Sequence, residues 1–332
     1  MANLHDYRSG KPGSYPDQAV YAEYACAQSG LSFEELDGGS GLVFGVGSVE
    51  KSWCFAAGRC SFFPQNNATA ATLATDKYFA NVILERAGVA TLGGQTFFLH
   101  ARHRAARGDG HERADALDHF RKLGGAAFVK PLTGSRGDLA QSIHDEATLE
   151  NYLDEAARYY DAVLMQRIFA GDEYRIFLLD DEVVYAASKR EPVVIGDGVR
   201  TLGELLADHD AALRARGVSS AVAAGPNDMV LPKGERRTIP GRMNLSAGGA
   251  MALQPPRDEA AAYWLARRAA RSLGLRVAAV DLFTELRGDS EAMRVIEVNA
   301  NPSIRFLEQC GREDLILKIW RHTFTAMGLL RV

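Results

Sequence analysis

Acidic residues set inside apolar strands are the first chemical signal in this sequence. Asp281 lies within Val277-Ala-Ala-Val-Asp-Leu-Phe283, and Glu297 and Asn299 lie within Met293-Arg-Val-Ile-Glu-Val-Asn-Ala-Asn-Pro-Ser303. Both runs are short and rich in branched residues, and Arg287-Gly-Asp-Ser-Glu291 between them is turn material, so two antiparallel strands are predicted. A hairpin folded about Asp289 sets Asp281 directly opposite Glu297. Asn299, two residues further on, falls on the same face. Two carboxylates and an amide oxygen converging between apolar neighbours repel and stay desolvated unless a cation lies among them. Oxygen donors with no His or Cys nearby suit magnesium held jointly with phosphates. The alternative is a polar hairpin end facing water.

A second signal is Val129-Lys130-Pro131 followed by Gly134-Ser-Arg-Gly137, a lysine at a strand end beside a glycine-rich loop. Glycines let backbone N–H groups approach phosphate oxygens, and the lysine supplies a point charge for them. A surface lysine before an ordinary loop is the competing reading. No G-x-x-x-x-G-K-[ST] occurs, so this is not a P-loop. Gly45-x-Gly47 lacks the third glycine of a dinucleotide fingerprint and reads as strand and turn. His100, His103, His111 and His119 are spaced off any one helix face and are expected in solvent. Cys54 and Cys60 are expected to be packing residues.

These groups need elements to carry them. Thr75 to Ala87 has helical apolar spacing, with Thr75 or Asp76 as N-cap and Gly88 as stop. Residues 89–99 read as strand and connection, 102–123 as a charged solvent-facing helix, 126–131 as a strand and 145–160 as an amphipathic helix. Residues 162–169 return as a strand, and 173–179 with 182–187 make a hairpin across Asp180-Asp181. Helices are expected over 200–216, 260–273 and 315–330, and residues 218–256 read as a connection rich in Gly, Pro and Ala. The pattern is mixed α+β.

At 332 residues the chain is expected to form two or three domains. Its net charge of -4 offers no general field for nucleic acid or an anionic membrane. No apolar run approaches membrane-spanning length, and Met1-Ala-Asn-Leu-His-Asp lacks the layout of a secretory signal. Cys26, Cys54, Cys60 and Cys310 form neither zinc pairs nor a disulfide framework, which fits a reducing cytoplasm.

Asp76-Lys77, Val129-Lys130-Pro131 with its loop, Met165-Gln-Arg-Ile-Phe-Ala-Gly-Asp-Glu-Tyr-Arg175, Asn244-Leu-Ser-Ala-Gly-Gly249, Asp281 and Glu297-x-Asn299 stand in the order found in the ATP-grasp superfamily. The resemblance runs from about residue 60 to 310. It is strongest to the amino-acid ligase branch, the ATP-grasp modules of cyanophycin synthetases and bifunctional glutathione synthetases. Glu191-Pro-Val-Val-Ile-Gly-Asp-Gly-Val-Arg-Thr-Leu-Gly-Glu-Leu205 and Glu297-Val-Asn-Ala-Asn-Pro-Ser-Ile-Arg305 resemble two of their characteristic segments.

The resemblance implies an α+β ATP-grasp fold, two subdomains clasping ATP behind a small N-terminal pre-ATP-grasp region. Expected bounds are 1–70 for that region, 71–165 for a linker helix with the first subdomain and 166–332 for the second, which carries the metal site. Lys77 and Lys130 would hold ATP phosphates, and Gly134, Ser135 and Gly137 would belong to the lid over them. Gln166, Arg167 and Ile168 would present backbone to adenine, and Glu173 would bind ribose or, alternatively, pair with Arg175. Asp281, Glu297 and Asn299 would hold magnesium, two ions being expected, with manganese as substitute. Arg242 would stabilise the transferred phosphoryl group, and Asn244 would help hold phosphate or metal. Arg305 would bind a substrate carboxylate or form an ion pair. Arg175 and Arg190 are either substrate anchors or hairpin salt bridges. The implied activity is ATP-dependent formation of an amide between amino acids or short peptides. An ATP-grasp kinase and a non-catalytic nucleotide-binding module are the alternatives. Expected partners are small-molecule acids and amines, with neither nucleic acid nor membrane; a homodimer is expected by analogy. Two departures stand out: Gln166 replaces a common acid, and Ser303 a common glycine. The chain also lacks the Mur-ligase-like half of cyanophycin synthetase, so a polymerase with two active sites is not expected.

Overall fold

The computed structural model describes residues 2–56, 62–102, 104–134, 137–214, 227–239, 248–287 and 292–331. Two antiparallel sheets frame it. The larger has five strands in the order Ala250–Leu253, Glu182–Arg190, Asp172–Leu179, Val277–Thr284, Arg294–Asn299. Its central strands are apolar almost throughout because both faces are covered. One face buries Ile176, Leu178, Ala278, Val280 and Leu282 under helices Ala68–Thr75, Lys77–Arg86 and Glu259–Ser272. Residues 71–86, grouped by sequence with the first subdomain, thus share their core with the second sheet. Asp76 starts the second of these helices as expected, its carboxylate accepting from the N–H groups of Tyr78 and Phe79.

The other face of the sheet changes character along its length. Strand alternation lines up Leu179, Phe177, Arg175 and Glu173 on one strand, Val277, Ala279 and Asp281 on the next, and Tyr185, Ala187 and Lys189 on the third. The apolar end of this face packs on helix Asp17–Ser29, strands Val43–Gly47 and Ser52–Ala56, and the terminal helix Glu313–Ala326. Trp320 anchors that core, its ring 5.9 Å from Phe55 and 6.0 Å from Phe63. The ionic end opens into a cleft.

Across the cleft stands a four-stranded sheet in the order Gln95–Phe98, Ala162–Gln166, Ala127–Pro131, Gln141–Ile143. Helices Arg113–Lys122 and Glu146–Ala156 cover its back through Phe120, Leu149 and Leu153. A smaller unit pairs Val193–Ile195 with Arg236–Thr238 beneath helix Leu202–Arg214.

The predicted hairpin has the predicted register: Asp281 faces Glu297 and Ala279 faces Asn299, with a bulge beyond Asp281. Three expectations are corrected. The helix expected over 102–123 is confined to Arg113–Lys122, after a short 3-10 turn and two glycines at 108 and 110. His111 is not solvated but approaches the Thr96 carbonyl at 2.8 Å, and His119 lies against the Phe97 ring; His103 and Cys60 fall outside the described residues. The stretch 218–256 is not all connection, since Arg236–Thr238 and Ala250–Leu253 are strands. Among the described residues no helix is long and apolar enough to cross a membrane.

Candidate active site

The two sheets enclose a cleft of about 2840 Å³, whose walls include Lys77, Lys130, Gln166, Glu173, Glu297 and Asn299. The four-stranded sheet contributes Lys130. It is 5% exposed, and its ammonium makes no hydrogen bond or ion pair with the described residues and stands 5.9 Å from the Phe128 ring. Burial pushes its ammonium down to about 8, against the attraction of Glu297. A buried cation without an acid is costly unless a ligand supplies the counter-charge. Lys77 begins its helix nearby and donates to the carbonyls of Gly134 (3.0 Å) and Leu132 (3.3 Å), so it holds the start of the glycine loop. Burial lowers this group too, Glu297 again opposing. Gly137 has φ +69°, in the left-handed region. Ser135, Arg242 and Asn244 lie outside the described residues.

Gln166 ends strand Ala162–Gln166, with Arg167 and Ile168 following it along the cleft wall. Its Nε2 donates to the Gly93 carbonyl, while its Oε1 is buried with no partner among the described residues. Gly94 makes that approach feasible: a Cβ there would stand 2.7 Å from Gln166 Cγ and 2.8 Å from the Met165 carbonyl.

The five-stranded sheet contributes the ionic cluster. Asp281 is fully buried and accepts from Arg175 through both oxygens, Nε at 2.8 Å and Nη2 at 2.8 Å, and from Lys189 at 3.1 Å. Burial would push this carboxyl up; Arg175 and Lys189 overcome it and hold Asp281 well below the usual carboxylate range. Lys189 also pairs with Glu173, directly across the 180–181 hairpin. Burial and the nearby Asp281 raise Glu173 despite that pairing. Asp281 thus has cations from the protein itself, and Arg175, expected as substrate anchor or salt bridge, lines the cleft while salt-bridged to it. Glu173 is paired with Lys189 rather than Arg175.

Glu297 and Asn299 are half-buried, and the Asn299 amide donates to Glu297 at 3.2 Å. Among the described residues Glu297 has no cation partner. This oxygen pair fits a hard divalent ion. Asp281, engaged through both oxygens, does not fit in the same way, and among the described residues no three His, Cys, Asp or Glu side chains converge as a metal site.

Arg305 lines the cleft but is paired with Asp17 at 2.5 Å and Glu308 at 3.5 Å. That is its ion-pair reading. Arg190 is exposed and reaches Gln254 at 3.4 Å. Two residues escaped sequence reasoning. Lys189 is next to last in strand Glu182–Arg190, and a lysine so soon after the apolar run at 183–187 is the signal that could have flagged it. Asn66 carries no such signal, yet its amide donates to the Val277 and Ala300 carbonyls and accepts from the Arg276 and Val277 N–H groups, clamping the base of the hairpin that carries Asp281 and Glu297.

No family model matches the chain. It is 28% identical over 262 residues to cyanophycin synthetase of Geminocystis herdmanii, an alignment covering 70% of this chain and 28% of that protein. It is likewise 28% identical over 207 residues to the glutathione biosynthesis bifunctional protein of Streptococcus thermophilus, covering 55% and 28%. The chain thus spans little more than a quarter of these curated relatives. Among solved structures it resembles a bifunctional glutathione synthetase from Pasteurella multocida, with TM-score 0.51 and 18% identity, over 91% of this chain and 43% of that one. It also resembles D-alanine–D-alanine ligase from Bacillus anthracis, with TM-score 0.50 and 14% identity, over 79% and 72%. The fold is the ATP-grasp fold. In sequence the chain is similar to ATP-dependent ligases, a cyanophycin synthetase and a bifunctional glutathione biosynthesis protein.

Proposed function

We propose that the chain is an ATP-dependent ligase that joins the carboxylate of one amino acid or short peptide to the amine of another through an acyl phosphate. The observation that carries this reading is the pairing of an acid-free buried Lys130 with a cation-free Glu297 and Asn299 in one cleft. Lys130 and Lys77 hold the β- and γ-phosphates, and the loop from Gly134 to Gly137 covers them. Arg167 and Ile168 present backbone to adenine, with the free Gln166 Oε1 as acceptor. Glu297 and Asn299 would hold a magnesium ion, which when bound would supply positive charge to the moving phosphoryl group.

A substrate carboxylate oxygen attacks the γ-phosphorus as its bond to ADP breaks. The amine nitrogen then attacks the acyl carbon, phosphate leaves, and the proton of the amine passes to phosphate or water. Cations fixed around the phosphates and a covered cleft are what such chemistry needs. Arg242 and Asn244 are assigned to the phosphoryl group through the resemblance alone.

The test is ADP and phosphate release with magnesium-ATP over a panel of amino acids and dipeptides, with and without hydroxylamine. Hydroxamate formed with particular acids is the expected result. ADP with a phosphorylated product and no hydroxamate would make the chain a kinase, and silence across the panel would overturn turnover altogether.

A further inference from the structure

We infer that the phosphate end of this cleft works with one divalent cation, because Lys189 and Arg175 already supply the positive charge that a second ion would bring to Asp281. The inference rests on the ATP-dependent reading above and revises the two ions expected from the sequence. A bidentate guanidinium takes one lone pair on each Asp281 oxygen, and Lys189 adds a third donor on Oδ2, so three of about four acceptor sites are filled from within the protein. A divalent ion placed on this carboxylate would stand beside two cations that are themselves out of water, where like charges repel with little screening.

Neither cation has an easy way out. Lys189 is 5% exposed, in a strand flanked on both sides by others, and it spans Glu173 and Asp281 together. Arg175 lies on the strand between those of Lys189 and Asp281, opposite both Asp281 and Ala187. Glu173, Asp281, Arg175 and Lys189 therefore balance one another, two acids against two bases. Glu297 is left as the one acid nearby that forms no ion pair among the described residues, and the Asn299 amide group stands beside it. The strand geometry thus separates the two carboxylates that face each other across the hairpin. One anchors a fixed ionic cluster, and the other is available to an ion.

Manganese bound by the full chain with a non-hydrolysable ATP analogue tests this, with metal and nucleotide counted in the same equilibrium-dialysis sample and manganese–manganese coupling read by electron paramagnetic resonance. One uncoupled ion per nucleotide is expected, falling below half an ion in Glu297→Gln. Lys189→Met is expected to bind a second, coupled ion. Two ions per nucleotide in the unaltered protein overturn the inference and leave the ATP-dependent reading intact. A folded, nucleotide-binding Lys189→Met that still holds one ion overturns the role given to Lys189. Should Lys189→Met not fold, the counts for the unaltered protein and Glu297→Gln decide. Absence of bound nucleotide overturns both the inference and the reading beneath it.

Discussion

Each sheet buries one lysine toward the cleft, and the two are surrounded in opposite ways. Lys189 on the five-stranded sheet touches Glu173 and Asp281; Lys130 on the four-stranded sheet touches no acid. Both are 5% exposed, so burial does not distinguish them. Pairing does. Burial lowers both ammonium groups, yet the two carboxylates lift Lys189 above its ordinary value while Lys130 falls to about 8. A paired buried charge belongs to the fold, whereas an unpaired one is an unfilled demand that a ligand can meet.

Lys130→Met should break the contrast on the ligand side. Loss of a charge-assisted phosphate contact is expected to lower kcat/KM for ATP by about 100- to 1000-fold. The melting temperature should hold or rise, since an uncompensated buried charge has gone. A drop of several degrees would assign Lys130 to the fold instead. Asp281→Asn should break it on the other side. It leaves Arg175 and Lys189 without their shared acid, at a cost of about 3–5 kcal/mol, which thermal unfolding reads as a fall of roughly 10 °C. An unchanged melting temperature would refute the structural role of the cluster.

The smallest effect is the sharpest. Lys130 is depressed in the free protein, so it is charged below about pH 8 and neutral above. Phosphate favours the charged form, so ATP affinity should be fully present below pH 8 and weaken up to tenfold per unit above it. Binding should take up a proton in that range. Calorimetry in buffers of different ionisation heat checks this. Lys130→Arg, which stays charged, should bind with a flat profile, and an equally pH-dependent variant would move the effect elsewhere.

Local pattern made much of this legible. The apolar strands, their intervening turn and period-two alternation suffice to set Asp281 opposite Glu297, and Asp76 reads as an N-cap from type alone. The partners of Asp281 were not legible in the same way. Arg175 reaches it across a pairing between strands 106 residues apart, which no local rule supplies. Lys189 was hidden by a bulge. A plain hairpin about Asp180-Asp181 would set Ser188 opposite Glu173, but the register slips between Phe177 and Leu178 and brings Lys189 there instead. Such a slip moves a side chain to the other face of the sheet. A buried Asp281 calls for a cation, but that Arg175 and Lys189 supply it is not visible in the local sequence.

The core around Trp320 joins helix Asp17–Ser29 to helix Glu313–Ala326. On the ribosome these partners are made far apart in time. At about 5–20 residues per second, the first helix waits roughly 15–60 s for the last. Until then its buried face, including Val20, Tyr21 and Tyr24, lacks the cover of that helix. This core therefore closes only once helix Glu313–Ala326 has been made, and a nascent chain arrested before that helix should expose this face to chaperones.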